Sequence, residues 1–127
     1  MTPNEFRRIA LGMEGAVEGQ HMAHPDFRAN GRIFATISAD AKWGMVALTP
    51  EQQQEFMRDD PETFVPAAGA WGRGGSTMVK LASAEGDAVG EAMTLAWQET
   101  VKKAATKRAK TRVVPSTWRG RPPKPIT

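Results

Sequence analysis

The chain contains no cysteine, which removes disulfides, thiolate metal sites and cysteine nucleophiles together. It has no apolar run approaching the roughly 18 residues of a membrane-spanning helix. Nor does its start read as a signal peptide, because Glu14 interrupts the apolar stretch that begins at Ile9. These absences describe a soluble, intracellular protein, expected in the cytoplasm and without a membrane partner. A third absence is local. Residues 102–127 hold nine basic residues (Lys102, Lys103, Lys107, Arg108, Lys110, Arg112, Arg119, Arg121, Lys124) and no acid, so this segment carries +9. The other eight of 17 basic residues and all 14 acids precede it, leaving residues 1–101 at −6. The formal net charge of +3 therefore conceals a bipolar molecule. A block of one sign is commonly a solvated arm that meets a polyanion, and nucleic acid is the first candidate.

What remains is enough for one domain of about 105 residues and a tail, residues 106–127. Thr2-Pro3-Asn4-Glu5 has the cap residue, first-turn proline and following glutamate that open a helix. Phe6, Ile9, Ala10, Met13 and Val17 continue it at helical spacing to about residue 18. Asn30-Gly31 is a strong hairpin signal. Strict alternation after it places Ile33, Ala35 and Ile37 on one side and Arg32, Phe34 and Thr36 on the other. A turn at Asp40-Ala41-Lys42 leads into a strand over residues 43–48. Thr49-Pro50-Glu51-Gln52 repeats the cap signature for a short helix ended by Asp59-Asp60-Pro61. Residues 63–65 and 77–81 read as another strand pair, joined by a flexible loop holding Trp71, Arg73 and four glycines. A last helix from about Asp87 buries Val89, Ala92, Met93, Ala96, Trp97 and Val101, then loses its stripe in residues 102–110. Pro115 ends any helix, and residues 116–127 are expected to be mobile. The pattern is α+β, an antiparallel sheet with helices packed on one face.

Phe6-Arg7-Arg8-Ile9-Ala10-Leu11, His24-Pro25-Asp26-Phe27-Arg28, Gly31-Arg32-Ile33-Phe34-Ala35-Thr36, Trp43-Gly44-Met45-Val46, Leu48-Thr49-Pro50-Glu51-Gln52-Gln53, Trp71-Gly72-Arg73-Gly74 and Leu95-Ala96-Trp97 occur in this order. In this combination the chain resembles the MmcQ/YjbR family over residues 3–105. It departs from the family at Ser76, where relatives often carry a bulky residue. The resemblance implies a frataxin-like, double-wing fold and a DNA-binding role, and it supplies no catalytic residues.

The tail has its own likeness. Arg119-Gly120-Arg121-Pro122 is similar to the core of an AT-hook. Two arginines one residue apart can enter a narrow minor groove. Gly120 lets the backbone lie deep in the groove, and Pro122 and Pro123 hold the strand extended. Lys124, Arg112 and Lys110, with Lys107 and Arg108, would pair with flanking phosphates. A merely solubilising tail and an RNA contact are the alternatives.

Other constellations carry less. His21, His24 and Asp26 suggest metal ligands, but histidines three apart on one strand face opposite ways. The plainer reading is a surface histidine beside a turn aspartate, and no metal or cofactor is expected. Residues 72–77 lack the ending of a phosphate loop and lead to a strand. Asp59, Asp60 and Glu62 cap a helix end, and the serines lack a nucleophile-elbow setting. No small-molecule substrate is indicated, and the chain is not expected to be an enzyme. On the domain, Arg28, Arg32, Arg73 and Lys80 form a candidate local basic patch. Trp71, Trp43 and Phe34 could stack on bases, but Trp43 and Phe34 read first as core or sheet-packing residues, which leaves Trp71, in its loop, as the foremost candidate. The reading is a DNA-binding protein whose arm supplies most of the affinity. Its alternative is a protein-interaction module that uses Trp71 and the exposed sheet face.

Overall fold

The structure, a computed structural model, describes residues 1–21 and 23–112. Its first helix, α1 (Pro3–Leu11), starts as the cap signature requires. The Glu5 N–H donates to the Thr2 hydroxyl at 3.1 Å, and the Glu5 carboxylate accepts from the Thr2 N–H at 2.8 Å. The helix stops seven residues before the expected residue 18. Gly12 caps it, its N–H donating to the Arg8 and Ile9 carbonyls, and Gly15 follows in the turn with a left-handed φ of +74°. The chain turns there, and Val17 lies in the edge strand β1 (Val17–His21), exposed instead of buried.

Strands β2 (His24–Ala29) and β3 (Arg32–Ile37) form the expected hairpin, with φ of +54° at Asn30 and +76° at Gly31. The alternation expected along β3 is broken. Phe27 pairs with Ala35 and Arg28 with Ile33, so Phe34 is an extra residue in the ladder. Such a bulge turns two successive side chains to one side. Phe34 and Ala35 are both fully buried, whereas Ile33 is 38% exposed. Phe34 is therefore a core residue and cannot stack on a base.

The turn into β4 (Trp43–Ala47) is held by Asp40. Its carboxylate accepts from the Ser38 hydroxyl at 2.6 Å and from the Lys42 N–H at 3.0 Å. These bonds, the serine one foremost, hold its carboxyl below the usual carboxylate range. Helix α2 (Pro50–Asp59) again opens with a reciprocal cap between Thr49 and Gln52. There follow β5 (Phe64–Pro66), a short helix α3 (Gly69–Arg73), β6 (Ser76–Lys80) and the long helix α4 (Gly86–Arg112).

The six strands make one antiparallel sheet in the order β1-β2-β3-β4-β6-β5. Three helices cover one face. The ring of Phe6 in α1 occupies the space over Gly44 that a Cβ would fill. Phe56 in α2 packs on Phe64 at 5.1 Å between ring centroids. Helix α4 contributes Val89, Ala92, Met93 and Ala96, all buried against Phe27, Phe34, Val46 and Val79. At about 1.5–3 kcal/mol for each large side chain, this layer is the main source of stability. The α4 stripe ends on Thr100, four residues after Ala96, and Val101 is 38% exposed. Thr100 donates to the Trp97 carbonyl at 2.6 Å and accepts from the Asn30 amide at 3.2 Å. The hairpin tip is thereby tied to α4, which runs on past residues 105–106.

Candidate nucleic-acid interface

The sheet's other face is largely open. The register aligns Asp26, Thr36, Met45, Met78 and Val65 in one row across five strands, with Trp43 opposite Lys80 and Ala47 opposite Ser76. Thr36, Trp43, Met45, Met78 and Val65 are half-buried there. Asp26 is the acid in this row, and it is fully buried within β2, not a turn residue at the surface. Its two oxygens accept from Arg28 Nε at 2.9 Å and Nη2 at 3.1 Å. Gly19, its partner on β1, leaves room for it, since a Cβ there would come 2.9 Å from Oδ1. The hydrogen bond to Asp26, then its charge, raise the Arg28 pKa above the usual guanidinium value. This pairing neutralises the row's carboxylate and fixes the arginine at the sheet surface.

Beyond the bulge β3 parts from β4. Their ladder runs from Ala35–Val46 to Ile37–Gly44, while β2 and β3 remain paired to Ala29–Arg32. The parting opens a cleft of about 390 Å³, with Arg28, Arg32 and Ile33 on the hairpin side, Ala47 on β4, and Glu99 and Lys103 on α4. Three cations and one carboxylate meet there. From the cleft α4 continues with Lys102 and Lys103 exposed and Lys107, Arg108, Lys110 and Arg112 at helical positions, with no acid between. The candidate patch of four basic residues thus divides. Arg28 and Arg32 join Lys103, whereas Arg73 and Lys80 are exposed elsewhere and do not line the cleft. Arg119, Gly120, Arg121, Pro122 and Lys124 lie outside the described residues.

The glycine-rich segment expected as a flexible loop contains α3, and close packing accounts for this. A Cβ on Gly72 would overlap the Ala67 carbonyl, and one on Gly75 the Leu48 carbonyl. Gln53 is buried in α2, and its amide donates to the carbonyls of Gly72 and Ser76, both at 3.0 Å. Gln53 thereby staples this segment to the body. The sequence carried a faint signal for it, a polar residue three before Phe56 on the buried stripe of α2. Trp71 is left 77% exposed on an anchored support. Beside it a second cavity, of about 380 Å³, opens on the sheet face, with Met45, Met78, Ala67 and Ala68 among its walls.

His21 and His24 are partner positions on β1 and β2, not residues of one strand. No group of three or more His, Asp or Glu among the described residues could hold a metal ion. No helix among them is long and apolar enough to cross a membrane.

Neither the family models nor the curated proteins compared match this chain. Among solved structures, its fold is similar to the crystal structure of the Deinococcus radiodurans protein DR2400, a DUF419 domain protein. The TM-score is 0.71 at 17% sequence identity, over 94% of this chain and 93% of that one. At that identity the likeness is one of fold.

Proposed function

We propose that this chain is a DNA-binding protein of the MmcQ/YjbR family, to which DUF419 domains are related, acting in the cytoplasm without catalytic activity. The fold likeness to DR2400 supports the family. The observation that carries the binding role is the cleft where Arg28 and Arg32 meet Lys103 at the root of a helical segment rich in cations. Phosphates seated there and along residues 102–112 would release counterions, which drives association in proportion to the cations engaged. Arg119, Gly120, Arg121 and Pro122 would add a minor-groove contact with a preference for A·T-rich duplex, with Lys124 on a neighbouring phosphate.

Fluorescence anisotropy with A·T-rich and G·C-rich duplexes across a salt series tests this reading. With about five phosphates neutralised, the slope of log K against log salt is expected near −4 to −5. Replacing Arg28, Arg32 and Lys103 by Gln is expected to make it shallower by roughly 2 to 3. Absence of binding at low salt rejects the proposal. A second reading, a protein-interaction module, is favoured by the exposure of Trp71. It requires a partner complex that Trp71→Ala disrupts in a chain that does not bind DNA.

A further inference from the structure

The cavity beside Trp71 differs from the basic cleft in charge. Its walls are the thioethers of Met45 and Met78, the methyls of Ala67 and Ala68 and the indole of Trp71, and no Asp, Glu, Lys or Arg among the described residues lines it. It is lined as well by His24, Thr36 and Ser76, whose side chains make no hydrogen bond to the protein among the described residues. Apolar walls with a few convergent polar groups are the usual make-up of a small-ligand site, and about 380 Å³ is at the small end of that class. Methionine sulfur and an indole face both favour a flat aromatic ring. Unspent hydroxyl and imidazole groups in the lining favour a ring with donors and acceptors on its edge. The lack of charge favours a neutral one.

The two cavities also adjoin. Ala47 lines the basic cleft, Ser76 lines the apolar one, and these two residues are direct cross-strand partners. A cationic cleft next to a neutral, aromatic-walled pocket matches the repeat of a nucleic-acid strand, anionic at the phosphate and neutral at the base. We propose that the Trp71 pocket takes one unpaired nucleobase of a strand whose phosphates lie on Arg28, Arg32 and Lys103. This rests on the nucleic-acid reading above and adds to it that the sheet face prefers an unstacked base to a closed duplex. The anchoring of α3 by Gln53 and the two close-packed glycines fits such a role, because a backbone fixed beneath the ring leaves less freedom to lose on stacking.

The test uses the full chain and a short single-stranded oligodeoxynucleotide carrying one 2-aminopurine, whose emission reports stacking. Binding is expected to change that emission, and Trp71→Ala to weaken affinity on the order of tenfold with the salt slope unchanged. Thr36→Val, which keeps the side-chain shape, is expected to weaken it several-fold. Replacing Arg28 and Arg32 by Gln is expected instead to flatten the salt dependence. If Trp71→Ala and Thr36→Val leave affinity unchanged while the arginine variant weakens it, the base pocket is wrong and the nucleic-acid reading stands. If the parent chain binds neither single strand nor duplex, both fail. Free 2-aminopurine deoxynucleoside binding as tightly as the oligonucleotide would overturn the placement of a strand across the two cavities.

Discussion

Phe34 and Met45 lie on adjacent strands of one sheet, but Phe34 is sealed beneath α4 while Met45 is half-open on the opposite side. The contrast holds for their neighbours. The covered face carries Phe27, Val46, Phe64 and Val79, all closed from solvent. The open face carries Thr36, Trp43, Met78 and Lys80, flexible or polar side chains that pack less completely. The covered face packs against α1, α2 and α4, so its residues contribute most of the stability. Cations gather in the cleft where the hairpin meets α4, while on the open face apolar walls lie beside Trp71 and the buried carboxylate is neutralised by Arg28. Residues there can be chosen for binding because the fold does not depend on them.

The widest gap between the faces is expected in stability. Phe34→Ala should cost about 3–5 kcal/mol in urea denaturation, whereas Met78→Ala, already partly solvated, should cost about 1 kcal/mol. Equal losses would mean that the open face supports the fold as much as the covered one does. Gln53→Leu should fall between, about 1–3 kcal/mol, because it removes the two side-chain hydrogen bonds that tie α2 to the Gly72 and Ser76 carbonyls, leaving these only their backbone donors, the Gly75 and Ala67 N–H groups. It should also alter Trp71 fluorescence, and an unchanged signal would mean that α3 holds its place without the staple. Trp71→Ala should move stability by no more than about 0.5 kcal/mol, and a larger loss would make the indole a structural residue.

The smallest effect is expected where both faces share an element, at the Asp40 turn and the α1 cap. Asp40 and Glu5 have carboxyl pKa values lowered from their ordinary 3.8 and 4.5 by local hydrogen bonds, to Ser38 and to Thr2 respectively. Their contribution is fully present above those ordinary values and is lost as pH falls through the lower folded ones. Thermal melts taken downward from pH 5 should therefore show a slight loss that Asp40→Asn reduces. A loss centred above pH 5 would assign the effect to other groups.

Local signals in the sequence located what local chemistry controls. Both cap signatures, the Asn30-Gly31 turn, the Asp40 turn and the buried stripe from Val89 to Ala96 read directly. What escaped depends on residues far apart in the chain. Alternation cannot reveal an inserted residue, so the bulge at Phe34 and the cleft it opens were hidden. Four glycines read as freedom, whereas two of them are there for close approach to the Ala67 and Leu48 carbonyls. Asp26 read as a turn residue because the Gly19 that makes room for it lies on another strand. Arg28 and Arg32 were legible as cations. Their meeting with Lys103 required the Asn30–Thr100 tie between hairpin and helix.

The most direct test of the open face as the binding surface is amide and methyl NMR of the full chain, titrated with a short single-stranded oligonucleotide. Shifts are expected at Thr36, Met45, Ser76, Met78, the Trp71 indole and Arg28, and at Lys103 where α4 borders the cleft, with Phe6, Phe56 and Met93 beneath the helices unmoved. Shifts confined to residues 113–127, or spread over the residues beneath the helices, would contradict binding at the open face.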